Sequence, residues 1–532
     1  MVSDCIALKD VPHTSRLFAD YLGHSPKLRT FYPSLDLNQK LAAFAPSVSY
    51  SNSMRETVAT ALERQNRGFG SGEATVQNIE RLRRGAFTVV SGQQVGLFGG
   101  PLLAILKGAH AVRLARDLSQ QGIDTIPVFW MASEDHDFAE VNHVELPQQD
   151  FSLRRLTVEA NGTTGAPMSE MRLEPQVEHL LNETAELLGE TAVVEILRES
   201  YRPGETMAGA FGKLFARLFA AHGLVLLDPA DADLHRATAP LFRRVVGEAA
   251  EIARTLQERG KALEHDGYHE QVKVSAGSVL LFAIQDGARV AIQRQNSHFS
   301  IGKEKLTQEE LLAQIEKEPE KFNANVLLRP VMQDTLLPTL AYIGGPAEVA
   351  YFGQASVVYQ RLLGRATPIL PRFSATLIEP KIEKLLERYD LQLADLYHGS
   401  DALAEKLAQK TLSPELDEQF RAALAIVTHT MAGVKESVEK LDPTLVEAAE
   451  RATSKMRYQV GRLHRRAARA LLHRTHVLSQ HANQLVNALY PEKSLQERTV
   501  GAAYFVSKYG VELIDTLVEA AGSCPEHRVI RV

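Results

Sequence analysis

The chain has 532 residues, with 59 Lys and Arg against 65 Asp and Glu and a net charge of -6 at pH 7. That length suits two or three domains, and the acidic balance argues against general binding to nucleic acid or to anionic membranes. No apolar run approaches the roughly 20 residues that cross a bilayer, and Asp4, Lys9 and Asp10 stand where a signal peptide would be apolar, so a cytoplasmic protein without a membrane partner is expected. The only cysteines, Cys5 and Cys524, lie near opposite ends. They offer neither a disulfide framework nor a Cys-rich metal site, and no zinc or redox cofactor is expected.

Residues 1–85 read as a helical lead-in, with helix-like apolar spacing over 41–44, 54–61 and 76–82. A strand over 87–91, a helix over 101–118 ended by Gly122, and a strand over 126–132 then make a βαβ unit, right-handed by default. The patterns weaken over about 144–205, an insertion with acidic amphipathic pieces such as 177–188. Alternation resumes with a helix over 207–221, a strand over 223–228 and a helix over 241–260. Asp286-Gly287 predicts a hairpin between 279–284 and 289–293, and 327–359 reads as sheet and loop around a tight Gly344-Gly345-Pro346 turn. Residues 86–380 are therefore expected to form an α/β core, Rossmann-like, around a parallel sheet.

After about residue 380 the pattern becomes helical. Ser413-Pro414 starts one helix with an apolar stripe from Leu416 to Leu441, and Asp442-Pro443 starts a second over 445–489. Stripe positions in the second recur every ~3.67 residues, which favours nearly straight packing, and at ~1.5 Å per residue the helix would run roughly 70 Å. Residues 381–493 are read as an antiparallel coiled-coil arm and 494–532 as a tail packing on the core. The longer second helix should leave apolar surface for a second copy, so a homodimer is expected. Arg462, Arg465, Arg466 and Arg469 on that helix read as a solvated face in preference to an RNA-binding one.

Three clusters carry candidate chemistry. Ser91-Gly92-Gln93-Gln94 and Gly96 to Pro101, including Gly99 and Gly100, lie between a strand and a helix, where glycines let the backbone approach a phosphate. Lys107, two turns into that helix, could add its charge to a bound anion; the alternative is a glycine-rich turn without a ligand. Glu134, Asp135, His136 and Asp137, with Glu140, Asn142 and His143 beyond, follow an apolar strand. Such groups could bind an amine, hold magnesium through water, act as a general base, or merely cap a helix. No metal site is assigned. Arg329, Gln333 and Asp334 form the third cluster with Gly344, Gly345, Glu348, Tyr351 and Arg372; the two arginines could clamp a carboxylate or phosphate, or serve as structural ion pairs.

The segments Ser-Gly-Gln-Gln-Val-Gly-Leu-Phe-Gly-Gly-Pro from Ser91, Val-Phe-Trp-Met-Ala-Ser-Glu-Asp-His-Asp from Val128, and Arg-Pro-Val-Met-Gln-Asp from Arg329 resemble the bacillithiol-biosynthesis cysteine ligase family, BshC, over essentially the whole length. The resemblance implies a cytoplasmic enzyme that joins cysteine to the amine of glucosaminyl-malate, with ATP, and magnesium with it, activating the carboxyl. It also implies a fold similar to class I aminoacyl-tRNA synthetases. Glu134 to Asp137 would then be catalytic, Gly92 to Lys107 would bind nucleotide, and the third cluster with Asn142 and His143 would bind substrate. Residues 103–106 lack the synthetase histidines, and Lys107 stands nearby. The rival reading is a non-catalytic nucleotide- or RNA-binding protein on the same fold.

Overall fold

The computed structural model describes residues 4–33, 41–159, 165–474, 476–521 and 526–532. Cys524 and the Arg474 side chain fall outside what is described. Strands β1 (Phe87–Gln93), β2 (Thr125–Met131), β3 (Val225–Leu227), β4 (Thr339–Gly344) and β5 (Ile369–Pro371) form a parallel sheet in the order β5-β4-β1-β2-β3. Every residue of β2 and β4 is buried, so their apolar runs do not alternate, as expected of a sheet covered on both faces. Helix α1 (Leu103–Gln120) crosses from β1 to β2. At Gly92 a Cβ would lie 2.6 Å from the Trp130 carbonyl oxygen, so only glycine fits against β2 there.

The chain runs from β1 outward to β2 and β3, then returns to set β4 on the other side of β1. The order reverses between β1 and β4, and the carboxyl ends of these strands are where such sheets bind ligands. Helix α2 (Ala232–Gly247) follows β3, with the Asp231 side chain accepting from the Asp233 backbone N–H at its start. A separate antiparallel sheet carries Ser278–Gln285 between Ala288–Gln295 and Phe322–Ala324. Its hairpin turns at Asp286 and Gly287, both with positive φ, as the sequence signal requires. The weakly patterned insertion contains the hairpin His143–Pro147 with Leu153–Thr157 and the helices Gln176–Leu188 and Ala192–Ser200.

Two expected elements differ. The 327–359 stretch, read as sheet and loop, is helix α3 (Arg329–Leu336), strand β4 and helix α4 (Pro346–Leu363). Pro330 and Pro346 sit in first helical turns, and the Glu348 carboxylate accepts the Gly345 N–H at 2.7 Å, so the Gly344-Gly345-Pro346 segment starts a helix as well as turning the chain. The 241–260 helix is two, α2 and Ala249–His265, parted at Glu248.

The arm is an antiparallel pair, α5 (Pro414–Leu441) and α6 (Val446–Arg474), continued past residue 475 by α7 (His476–Leu489). Lys435 pairs with Glu450 at 2.5 Å and the Phe420 ring lies 4.7 Å from that of His464, which fixes the antiparallel register. None of the α5 residues is buried. In α7, by contrast, Leu478 and Leu485 are enclosed with Ile382, Leu403 and Leu407 in a small core of their own. The final segment returns to the body: Glu526–Arg531 pairs with Ser374–Ile378 and with Asp4–Ala7. No described helix is long and apolar enough to cross a membrane.

Candidate active site

Glu134, three residues past β2, is buried beneath the carboxyl edge. Its Oε1 lies 3.0 Å from Nε2 of His235 on α2 and accepts from Nδ2 of Asn323 at 2.5 Å. Burial opposes its ionisation, but the His235 hydrogen bond and charge, with Arg289 and Asn323, outweigh it and hold the carboxyl below the ordinary glutamate value. For His235, burial likewise opposes charge, yet the bond to Glu134 and its charge raise the imidazole above its ordinary value. Each group thus favours the charged form of the other. Around it, Asn323 Oδ1 and Arg289 Nε are buried with no hydrogen-bond partner among the described residues, while the other side of His235 faces the Pro319 backbone. Native structures leave few such atoms, so two around one carboxylate mark this as more than packing.

Asp135 and His136 form the adjoining rim. Gln94 Nε2 donates to Asp135 Oδ2 at 2.8 Å and to Glu140 Oε2 at 2.7 Å, which ties β1 to the segment after β2. The Asp135 Oδ1 accepts the His136 N–H at 2.8 Å and lies 4.0 Å from Arg289 Nη1. Arg289 stacks 4.1 Å over the Phe282 ring and donates to the Ala324 carbonyl at 2.7 Å, so its guanidinium is fixed in place. Ser133 donates to Asp228, at the end of β3, whose carboxyl burial raises. Asp135 is half-buried and His136 and Asp137 are exposed, so this rim meets solvent. Asp137 precedes the short helix Phe138–Val141 without a side-chain cap bond, and Asn142 and His143 contact each other at 3.1 Å where the insertion hairpin begins.

At the β1/β4 crossover the groups are saturated. The buried Lys107 Nζ reaches Glu348 Oε2 at 2.6 Å, the Gly92 carbonyl at 2.7 Å and Gln93 Oε1 at 3.1 Å. Tyr342 donates to Glu348 Oε1 at 2.6 Å. A Cβ on Gly344 would lie 2.9 Å from that of Glu348, so glycine admits the carboxylate. Arg329 differs from its neighbours. It donates to Tyr351 OH at 2.7 Å and to Gln333 Oε1 at 3.3 Å, and lies 5.4 Å from the Tyr342 ring and 6.0 Å from that of Trp130. It also donates to Tyr342 OH at 3.4 Å and makes no salt bridge among the described residues, although the Glu348 carboxylate lies close enough to favour its charge.

Several of the expected groups have their partners inside the fold. Lys107 cannot serve as a free phosphate clamp, because Glu348 neutralises it. The Gly99 to Pro101 turn is bonded within the chain: Gly99 N–H donates to Tyr201 OH at 3.1 Å, Gly100 N–H to the Leu97 carbonyl at 2.9 Å, and the Gly100 carbonyl accepts from Ala502 of the tail at 3.0 Å. The tail covers that turn. Asp334 has a fully buried side chain held by Thr367 and Gln333 with Arg365 at 3.6 Å, and Gln333 is itself buried, so both join α3 to the approach to β5. Arg372 is paired with buried Glu497, itself bound by Ser374 at 2.8 Å, and is a structural cation.

His235, Arg289, Asn323 and Asp228 were not singled out from sequence. Asp228 ends an apolar strand, the same signal that exposed Glu134, and could have been found. His235 lies on a buried helix face, and Arg289 and Asn323 come from different strands of the second sheet; nothing local in their sequences points to Glu134.

A Rossmann-like core with a charged carboxyl edge, bearing a coiled-coil arm, defines the class of protein. Two family models specify it. The N-terminal Rossmann-like domain of bacillithiol biosynthesis BshC matches residues 1–373, and the C-terminal coiled-coil domain of the same family matches 375–532. The chain belongs to the BshC family, a family of ligases by the names its relatives carry. A Koribacter versatilis (strain Ellin345) protein named "Putative cysteine ligase BshC" is 76% identical over 532 residues, all of both chains. Proteins of the same name from Solibacter usitatus (strain Ellin6076) and Bacillus anthracis are 35% identical over 532 residues (99% of each chain) and 28% identical over 525 (97% of each).

Proposed function

We propose that the chain joins the carboxyl of cysteine to the amine of glucosaminyl-malate, forming an amide. The observation that carries this reading is the anionic Glu134 beside a solvent-facing carboxylate and imidazole, with Arg329, which makes no salt bridge among the described residues, near the same edge. An ammonium fits the first group and a carboxylate the second. Glu134 serves the amine as a charge partner and not as its base, because its carboxyl is held in the anionic form. Asp135 or His136 takes the proton that the ammonium must lose before attack. Arg329 holds a malate carboxylate through its planar donor fork.

Amide formation from a free carboxylate is uphill in water, so the carboxyl has to arrive activated, and ATP is proposed as the source. The turn expected to cradle its phosphates is closed by the tail and Lys107 is neutralised, so those residues do not fit the nucleotide and no step is assigned through it. Purified protein with cysteine, glucosaminyl-malate and ATP should form a product of the condensed mass. Omission of each component in turn, and Glu134→Gln, should abolish it. Binding of nucleotide with no product under any combination would favour the non-catalytic reading.

A further inference from the structure

We propose that His235 is the positioning residue of this site: with Asn323 it holds Oε1 of Glu134, so that Oε2 is presented to the ammonium of the amine substrate. The amine's part in this rests on the reading given above. The geometry does not. His235 and Asn323 come from α2 and from the strand Phe322–Ala324, and both converge on the same oxygen, at 3.0 and 2.5 Å. Oε2 accepts no hydrogen bond from the described residues, so one oxygen is fixed and the other is left available. A carboxylate free to rotate about its last torsion would spread its charge over several directions; two donors on one oxygen remove that freedom.

The charges around the pair come from every side. Arg289 acts on Glu134 from the second sheet, Glu320 acts on His235 from the short turn after residue 318, and Glu134 in turn raises Asp228 at the end of β3. Asp135 lies beside Arg289. Without His235, burial would act on Glu134 against Arg289 and Asn323 alone, and its carboxyl would move toward the neutral form. A neutral carboxyl attracts an ammonium poorly. Glutamine at 235 can restore a donor but not the charge, so the two contributions can be separated.

Two measurements test this. In the intact protein, selective histidine labelling and NMR titration should show the His235 imidazole protonated above the ordinary histidine range, and Glu134→Gln should lower its midpoint by at least a unit. This holds whether or not an amide is ever formed, so it separates failure of the present proposal from failure of the functional reading. In the assay, His235→Gln and His235→Ala should raise KM for the amine roughly ten- to a hundred-fold more than they change kcat, with glutamine the milder. Both should also move the acid limb of 1/KM upward by a unit or more. A midpoint insensitive to Glu134→Gln would overturn the proposal, and so would variants that lose thermal stability with an unmoved KM and pH profile. Should neither variant fold, the titration still decides.

Discussion

Two ion pairs at the carboxyl edge of the sheet, Lys107 with Glu348 and His235 with Glu134, differ in one respect. Lys107 and Glu348 are saturated: the lysine has three acceptors, and the glutamate takes Lys107, Tyr342 and the Gly345 N–H. Glu134 and His235 are not, since among the described residues Oε2 of the carboxylate accepts no hydrogen bond and two polar atoms around it, Asn323 Oδ1 and Arg289 Nε, lack partners. A charge pair whose valences are all met inside the fold serves the fold, whereas one with valences left over has something to offer a ligand. Sequence pattern alone does not separate these sites, since both follow the end of an apolar strand.

The largest effect should come from breaking the saturated pair. Lys107→Met leaves the half-buried Glu348 without its cation, and removal of one partner of a fully buried pair costs about 3–5 kcal/mol, so a loss toward the lower end is expected. Urea unfolding should show that loss, with product formation per folded molecule largely kept. If stability holds and nucleotide binding disappears, Lys107 is a ligand group after all and the contrast fails.

At the unsaturated site the balance should reverse. Asp135→Asn and His136→Ala should each lower turnover at least ~10²-fold, the low end for a lost acid–base or electrostatic group. Both residues meet solvent, so the melting temperature should stay close to that of the parent. Full activity with a lowered melting temperature would make this rim a cap and nothing more.

What the sequence disclosed follows from where each signal lies. The β1-to-β2 unit and the polar run after β2 were legible because an apolar strand and the residues at its end are contiguous. The hairpin at Asp286-Gly287 was legible for the same reason. The partners of Glu134 were hidden, because α2 and the second sheet bring residues 235, 289 and 323 to residue 134 only through the fold. The misread cases have the same origin. The glycines at 99 and 100 report a backbone conformation, with φ of 87° and 66°, but the sequence does not say that the tail at Val500 to Ala502 will cover them. Asp334 and Arg372 are likewise charged residues whose counter-groups, Arg365 and Glu497, are set by tertiary contacts.

The two pairs should also part company in pH. The carboxyls of Glu134 and Glu348 both lie below the ordinary glutamate value of 4.5, so each contributes stability above that pH that fades as the pH falls through the lowered value. His235 is raised above 6.5, so its share is complete below that pH and fades as the pH rises through the raised value. Each unit of displacement corresponds to about 1.4 kcal/mol. Urea midpoints across pH should therefore fall on both sides, and Glu134→Gln should flatten the alkaline side selectively, since burial then works against the charged His235. An alkaline side unchanged in that variant would assign it to other groups.

The smallest effect on the core should come from the arm, where the same distinction between met and unmet surface applies to apolar side chains. Leu478 and Leu485 lie on the stripe that suggested self-association, yet they are 3% and 0% exposed and belong to the root of the arm. Charges there should unfold the root and say nothing about a second copy. The open apolar residues lie further out: Ile426 is 65% exposed, Leu441 80% and Leu463 58%. Exposed apolar groups along two antiparallel helices are a surface for another chain, and a second arm is the simplest partner to test. Ile426→Glu with Leu463→Glu should shift sedimentation toward monomer and leave the stability of the core within ~0.5 kcal/mol, as for surface substitutions. An oligomer of unchanged mass would move the contact to the α/β body, and a monomer before and after would leave the arm's apolar face to a different partner.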